Sequence, residues 1–129
     1  MIEYPPDFLS YDEIMRVKPW IEGALKYAHG THDFADVIAD VEANRATLWP
    51  FEKSAVVTQT IHYPKMAILS FWLAGGNMRD LLSHEPGIVE WGKLWGCTRF
   101  NIIGRKGWSR AMNHLGYQPM HYITAKDVT

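Results

Sequence analysis

Residues 91–119 read WGKLWGCTRFNIIGRKGWSRAMNHLGYQP, and the order of elements in this stretch decides the fold. Ile88, Trp91, Leu94 and Trp95 recur at helical intervals after Pro86, a residue suited to a helix's first turn, and the run stops at Gly96. Cys97 to Ile103 has no helical period and reads as a strand. Gly104 leads to a helix from about Lys106 to Leu115, with Trp108, Ala111, Met112 and Leu115 on one face and Gly116 as its expected C′ residue. Tyr117 to Ala125 follows as a final strand. Helix, strand, helix, strand is the alternation of an α/β domain.

Upstream, Met66 to Ala74 is apolar almost throughout, as expected of a central strand buried on both faces, and Gly75-Gly76 terminates it. Asn77 to Ser83 reads as a separate helical turn. Two further strands precede it, Ala46 to Phe51 and Ala55 to His62, joined by Glu52-Lys53-Ser54 and followed by a turn at Tyr63-Pro64-Lys65. Before these the period is helical. Ser10 and Glu13 have capping-box spacing, and Ile14, Val17, Ile21 and Leu25 follow at helical intervals. Pro19 interrupts the run, so the expectation is one short helix through Val17 and a second from Pro19 to Ala28. Thr31 or Asp33 caps the next helix, whose stripe is Phe34, Val37, Ile38 and Val41 and whose end falls near Asn44.

The whole chain of 129 residues fits a single domain, residues 1–129, long enough to bury a core without disulfides or metals. Hydrophobic residues make up 47% and charged residues 21%, an ordinary globular balance, while six tryptophans predict bulky aromatic packing. The formal net charge of −1 gives no global pull toward nucleic acid, although a local basic patch remains open to it. Cys97 is the only cysteine, which excludes an intrachain disulfide and a cysteine-rich zinc site. Neither a signal peptide nor a membrane-spanning run is expected, and the lone cysteine fits a reducing compartment inside a cell.

The order of elements, together with the Gly96-Cys97 step and the Leu115-Gly116-Tyr117-Gln118-Pro119 ending, resembles the GCN5-related N-acetyltransferase (GNAT) family. The fold this implies is α/β (α+β), a mixed, mainly antiparallel central sheet flanked by helices. The resemblance also implies a cofactor loop, Arg/Gln-x-x-Gly-x-Gly/Ala, whose backbone N–H groups hold the pyrophosphate of acetyl-CoA at a helix N-terminus. The corresponding residues are Ala74, Gly75, Gly76, Asn77 and Arg79, with two glycines and an arginine but not the spacing. Many members carry a tyrosine four residues before the glycine of Leu-Gly-Phe, where it protonates the departing thiolate. Here that position is Met112, whose thioether has no proton to give. Thr47-Leu48-Trp49-Pro50, Ala74-Gly75-Gly76 and Gly104 to Arg110 also resemble degenerate GNAT-like proteins of phages and prophages, including internal virion proteins.

A second set, Arg99, Arg105, Lys106, Gly107 and Arg110, joins positive charge to glycine at a helix start, suited to a phosphate, a carboxylate or an acidic partner loop. The plain alternative is a strand-to-helix turn with solvated charges. The six histidines show no metalloprotease spacing, and no metal is expected. Cys97 is expected to be buried and inert. Three functions follow. The first is a phage-type GNAT-like protein without conventional acetyltransferase activity, acting through protein partners such as virion components and needing no cofactor. The second is an N-acetyltransferase using acetyl-CoA through an atypical loop, and the third an inhibitor of a host factor.

Overall fold

The computed structural model describes residues 1–128. Its elements are α1 (Tyr11–Leu25), α2 (Phe34–Glu42), β1 (Thr47–Pro50), β2 (Ser54–His62), β3 (Ala67–Gly76), α3 (Met78–Leu94), β4 (Cys97–Ile102) and α4 (Lys106–Met112), with a 3₁₀ turn at Asn113–Leu115. The four strands lie in the order β1-β2-β3-β4. The first three form an antiparallel meander, and β4 returns parallel to β3 through α3. This is the mixed, helix-flanked sheet that the sequence predicts.

The sheet separates two apolar layers. Val17, Ile21 and Val37 of α1 and α2 pack on Leu48, Ala55, Val57 and Leu73. On the opposite face Leu81 and Ile88 of α3 pack on Trp49, Val56, Leu69, Phe71 and Cys97. Cys97 is buried as expected, and burial pushes its thiol above the ordinary range. Trp49 donates from its indole N–H to Thr58 Oγ1 at 3.1 Å, meets Trp91 edge to face at 5.1 Å, and Trp91 in turn lies 6.0 Å from Trp95. Trp95 itself is 62% exposed and Leu94 is also exposed, so the inward stripe expected of α3 stops short of its last turn.

Both prolines sit inside helices rather than between them. Ser10 accepts from Glu13 N–H at 3.1 Å and starts α1, which then runs unbroken through Pro19. The hydrogen bond that Pro19 cannot donate would have gone to the Met15 carbonyl, and both residues are on the solvent side, where the loss costs least. The same holds for Pro86 in α3, which is exposed on one continuous helix from Met78 to Leu94. Asn77 caps that helix by accepting from Asp80 N–H at 2.9 Å.

Gly75 and Gly76 terminate β3 as expected: they are its last two residues, opposite Ala55 and Ser54 of β2, and Gly76 turns the chain at φ 104°. One other expectation changes. The strand expected over Tyr117–Ala125 does not form, and β4 is the last strand of the sheet. Tyr117 is drawn against α3 instead, and Pro119, lacking an N–H and restricting Gln118, opposes pairing where the strand would begin. Gly116 does adopt the left-handed C-cap, with φ 96°. The capping box of α2 also forms, with Asp33 and Asp36 each accepting from the other's backbone N–H at 2.9 Å. No helix among the described residues is long and apolar enough to cross a membrane.

Gly75 is where the layers come closest. A Cβ there would lie 2.4 Å from the Trp20 carbonyl oxygen of α1, a backbone atom that cannot swing away. Gly75→Ala is therefore expected to cost about 1–3 kcal/mol, read as a lower urea midpoint. Gly107→Ala, in α4 with no atom near its would-be Cβ, is the control and should be neutral or slightly stabilising.

Candidate functional site

The strands β3 and β4 part company halfway. Their ladder runs from Ala67 to Phe71 on β3 and closes with the Ile103 N–H donating to the Phe71 carbonyl at 3.2 Å. Beyond it β3 continues through Trp72 to Gly76, paired only with β2, while the other chain turns at Gly104 into α4. Trp72 is the extra residue of a bulge, since Val57 and Thr58 oppose Leu73 and Phe71. The bulge turns Trp72 toward the first helical layer, where its ring meets His32 at 4.7 Å.

Ala74 to Arg79 lie at the mouth of this opening, contiguous but already committed. Only Asn77 separates the end of β3 from the start of α3. Its N–H donates to the Lys53 carbonyl at 2.9 Å, its side chain caps Asp80, and its carbonyl accepts from Leu81 N–H at 3.0 Å. Gly76 faces Lys53 as closely as Gly75 faces Trp20, its would-be Cβ 2.5 Å from the carbonyl oxygen. Asp80 then puts a carboxylate in the first turn of α3, where it accepts from Ser54 Oγ at 2.7 Å. Arg79 is exposed. These residues do not fit a pyrophosphate: one residue makes the loop, its amides are partly used, and the Asp80 carboxylate lies in the same helix turn, where it disfavours an anion. Met112 is 4% exposed and belongs to the core.

The second set is not gathered into one place. Arg99 sits near the start of β4 and lines a groove with Tyr63, Pro64, Lys65, Met66 and Ile68. Arg105 occupies the N-cap of α4, its guanidinium carbon 3.9 Å from the ring centre of Tyr27, just beyond α1. That cation–π contact pins α4 to the first layer. Lys106, Gly107 and Arg110 are exposed on α4, and Arg110 lies in its last turn, favourable to the helix dipole. No group of three or more His, Cys, Asp or Glu among the described residues is placed to hold a metal ion.

Two polar constellations went unrecognised in the sequence. Glu85, 7% exposed, accepts from the Tyr117 hydroxyl at 2.6 Å, and the Tyr117 ring packs edge-on to Phe71 at the point where the strands part. Glu85 follows Leu81 and precedes Ile88 at inward helical spacing, and that position on an apolar stripe is the signal that could have found it. Burial first, then the hydrogen bond to Glu85 and its charge, push the Tyr117 phenol far above the usual range. Its hydroxyl stays protonated and donates to Glu85, tethering the segment after α4 to α3. The other constellation joins Glu3, His84, Asp80 and Ser54. His84 Nδ1 lies 2.6 Å from Glu3, its Nε2 lies 3.5 Å from Asp80, and its ring stacks flat on Phe51 at 3.6 Å. Glu3 N–H also donates to the Gly87 carbonyl at 3.1 Å, so the N-terminal segment is strapped along α3.

Tyr117→Phe leaves a nearly buried carboxylate without its donor and is expected to cost about 1–3 kcal/mol in urea unfolding. The sign of the pH effect follows from the raised phenol. Folding favours the protonated form, so this contribution is complete below the ordinary tyrosine pKa of about 10 and is lost as pH rises above it. Stability of the native chain should therefore fall with pH in that alkaline range, and more steeply than that of the Phe variant.

With the geometry in place, the chain can be set beside known proteins. No protein-family model matches it, and no curated protein does. Solved structures do. TTHA1254 from Thermus thermophilus superposes with a TM-score of 0.61 at 11% identity, over 93% of each chain. Its I68M mutant gives 0.63 at 11% over 94% of each. A possible acetyltransferase from Clostridium difficile 630 gives 0.63 at 8% identity, again over 94% of each chain. At such identities the likeness is one of fold, and the fold is GNAT-like.

Proposed function

We propose that this chain uses the GNAT-like scaffold to bind a protein partner rather than to carry out conventional acetyl transfer. One observation carries the reading. Because β3 runs through both glycines, Asn77 alone connects it to α3, and the polar groups of Asn77 are taken up by Lys53, Asp80 and Leu81. Asp80 adds a negative charge beside the same helix end. The burial of Met112 supports the reading further, since the tyrosine that would serve as acid is replaced by a core side chain. The resemblance of Thr47–Pro50, Ala74–Gly76 and Gly104–Arg110 to phage proteins makes a virion component our choice of partner.

The second reading, an N-acetyltransferase with an atypical loop, draws on the opening between β3 and β4 beyond Phe71 and on the structural neighbour described as a possible acetyltransferase. Calorimetry with acetyl-CoA separates the two. The expected result is no binding heat; micromolar affinity that is lost in Arg79→Ala would overturn the proposal. Quantitative mass spectrometry of purified particles addresses the partner. A fixed copy number per particle is expected, and absence from particles would remove the virion assignment.

A further inference from the structure

We propose that the free edge of β4, with the groove beside its N-terminal end, binds an extended peptide segment that alternates acidic and apolar side chains, added as a fifth strand. The inference rests on the partner-binding reading and names the surface and the chemistry of the partner.

The edge comes first. Ile103 N–H donates to Phe71, so the backbone groups of Asn101 also turn toward β3, and those of Phe100 and Ile102 turn outward. No described residue forms a backbone hydrogen bond on that side of the sheet. Proteins blunt such edges with prolines, bulges or charge. The strand Cys97–Ile102 contains no proline, and its one irregularity is at Thr98, at its beginning, leaving Arg99 as the guard. A positive guard repels a second β4 edge and welcomes an acidic strand.

The groove supplies the second element. It has a volume of about 430 Å³, and Tyr63, Met66 and Ile68 give it apolar walls, with Lys65 and Arg99 as its cations. Ile68 is the register partner of Arg99, and it alternates with Ala67 and Leu69, which face α3. The groove therefore lies over the β3–β4 pair on the face away from α3. Both Lys65 and Arg99 are exposed, and neither joins an ion pair among the described residues. A strand laid along β4 would place alternate side chains over this groove, where apolar groups meet its walls and carboxylates meet its cations.

The charge at the groove points the same way: the charged side chains that line it are the cations Lys65 and Arg99, with no carboxylate among them, although the whole chain is slightly acidic. Nucleic acid would satisfy the cations but neither the apolar walls nor the outward backbone donors and acceptors, which favours a peptide.

Fluorescence anisotropy on the full chain tests this with a labelled peptide alternating Glu and Val. Saturable binding is expected, with none for the Lys–Val counterpart. The same acidic peptide, N-methylated at alternate residues on its pairing edge, should bind roughly tenfold or more weakly, because strand addition needs its N–H groups. The double variant Lys65→Glu/Arg99→Glu, at two exposed positions, should reverse the preference toward the Lys–Val peptide. Equal binding of the N-methylated peptide, tighter binding of an oligothymidine, or a stable dimer of the full chain in sedimentation would each overturn the proposal. Acetyl-CoA binding is read in a separate measurement, so failure here with no cofactor heat sinks this inference alone, whereas cofactor heat sinks the reading beneath it.

Discussion

The close approach of α1 to β3 at Gly75 governs the rest of the molecule. With the Trp20 carbonyl where a side chain would begin, Val17 and Ile21 reach down to Ala55, Val57 and Leu73. Gly92 does the same for the other layer, since a Cβ there would strike the Phe100 ring and Leu69. Two missing side chains thus set the spacing of three layers. The first has a cost at the site. To meet α1 and β2, β3 stays paired with β2 as far as Gly76, whose φ of 104° ends it, which leaves one residue to reach α3. Core packing and the lack of an anion-binding loop are one constraint seen from two sides.

Much of the fold was legible because its signals are local. The stripe of α2, its Asp33 cap, the β-rich run of β2 and the left-handed Gly116 each depend on neighbours in sequence. The prolines misled because a lost hydrogen bond matters only if the freed carbonyl is buried, and neither Met15 nor Leu82 is. Gly75-Gly76 was legible as the end of β3 but not as the place where other backbones approach, because Trp20 and Lys53 are far away in sequence. The basic set was split because Arg99 lies in the first half of β4 and Arg105 beyond its end, a separation that counting residues along a strand makes visible only once the strand is known.

Polar side chains on α3 collect both ends of the chain. His84 holds Glu3, and Glu85, its neighbour, holds Tyr117. Adjacent residues on a helix point roughly a quarter-turn apart, so the two tethers leave in different directions, one toward Phe51 and one under the sheet toward Phe71. The half-buried pair across β3 and β4, Ser70 Oγ donating to Asn101 Oδ1, ties the last two strands together. After Tyr117 nothing comparable holds the chain among the described residues, and Met120, Tyr122 and Ile123 are exposed.

Trp49, Trp91 and Trp95 step from 1% exposed to 62% exposed at spacings of about 5 to 6 Å. In optical terms they are a single antenna. Light absorbed by the buried indole migrates toward the hydrated one, whose excited state is lowest in energy. The emission of this trio is therefore weighted toward the solvent-facing Trp95, and a buried tryptophan at the centre of the core does not by itself set its colour.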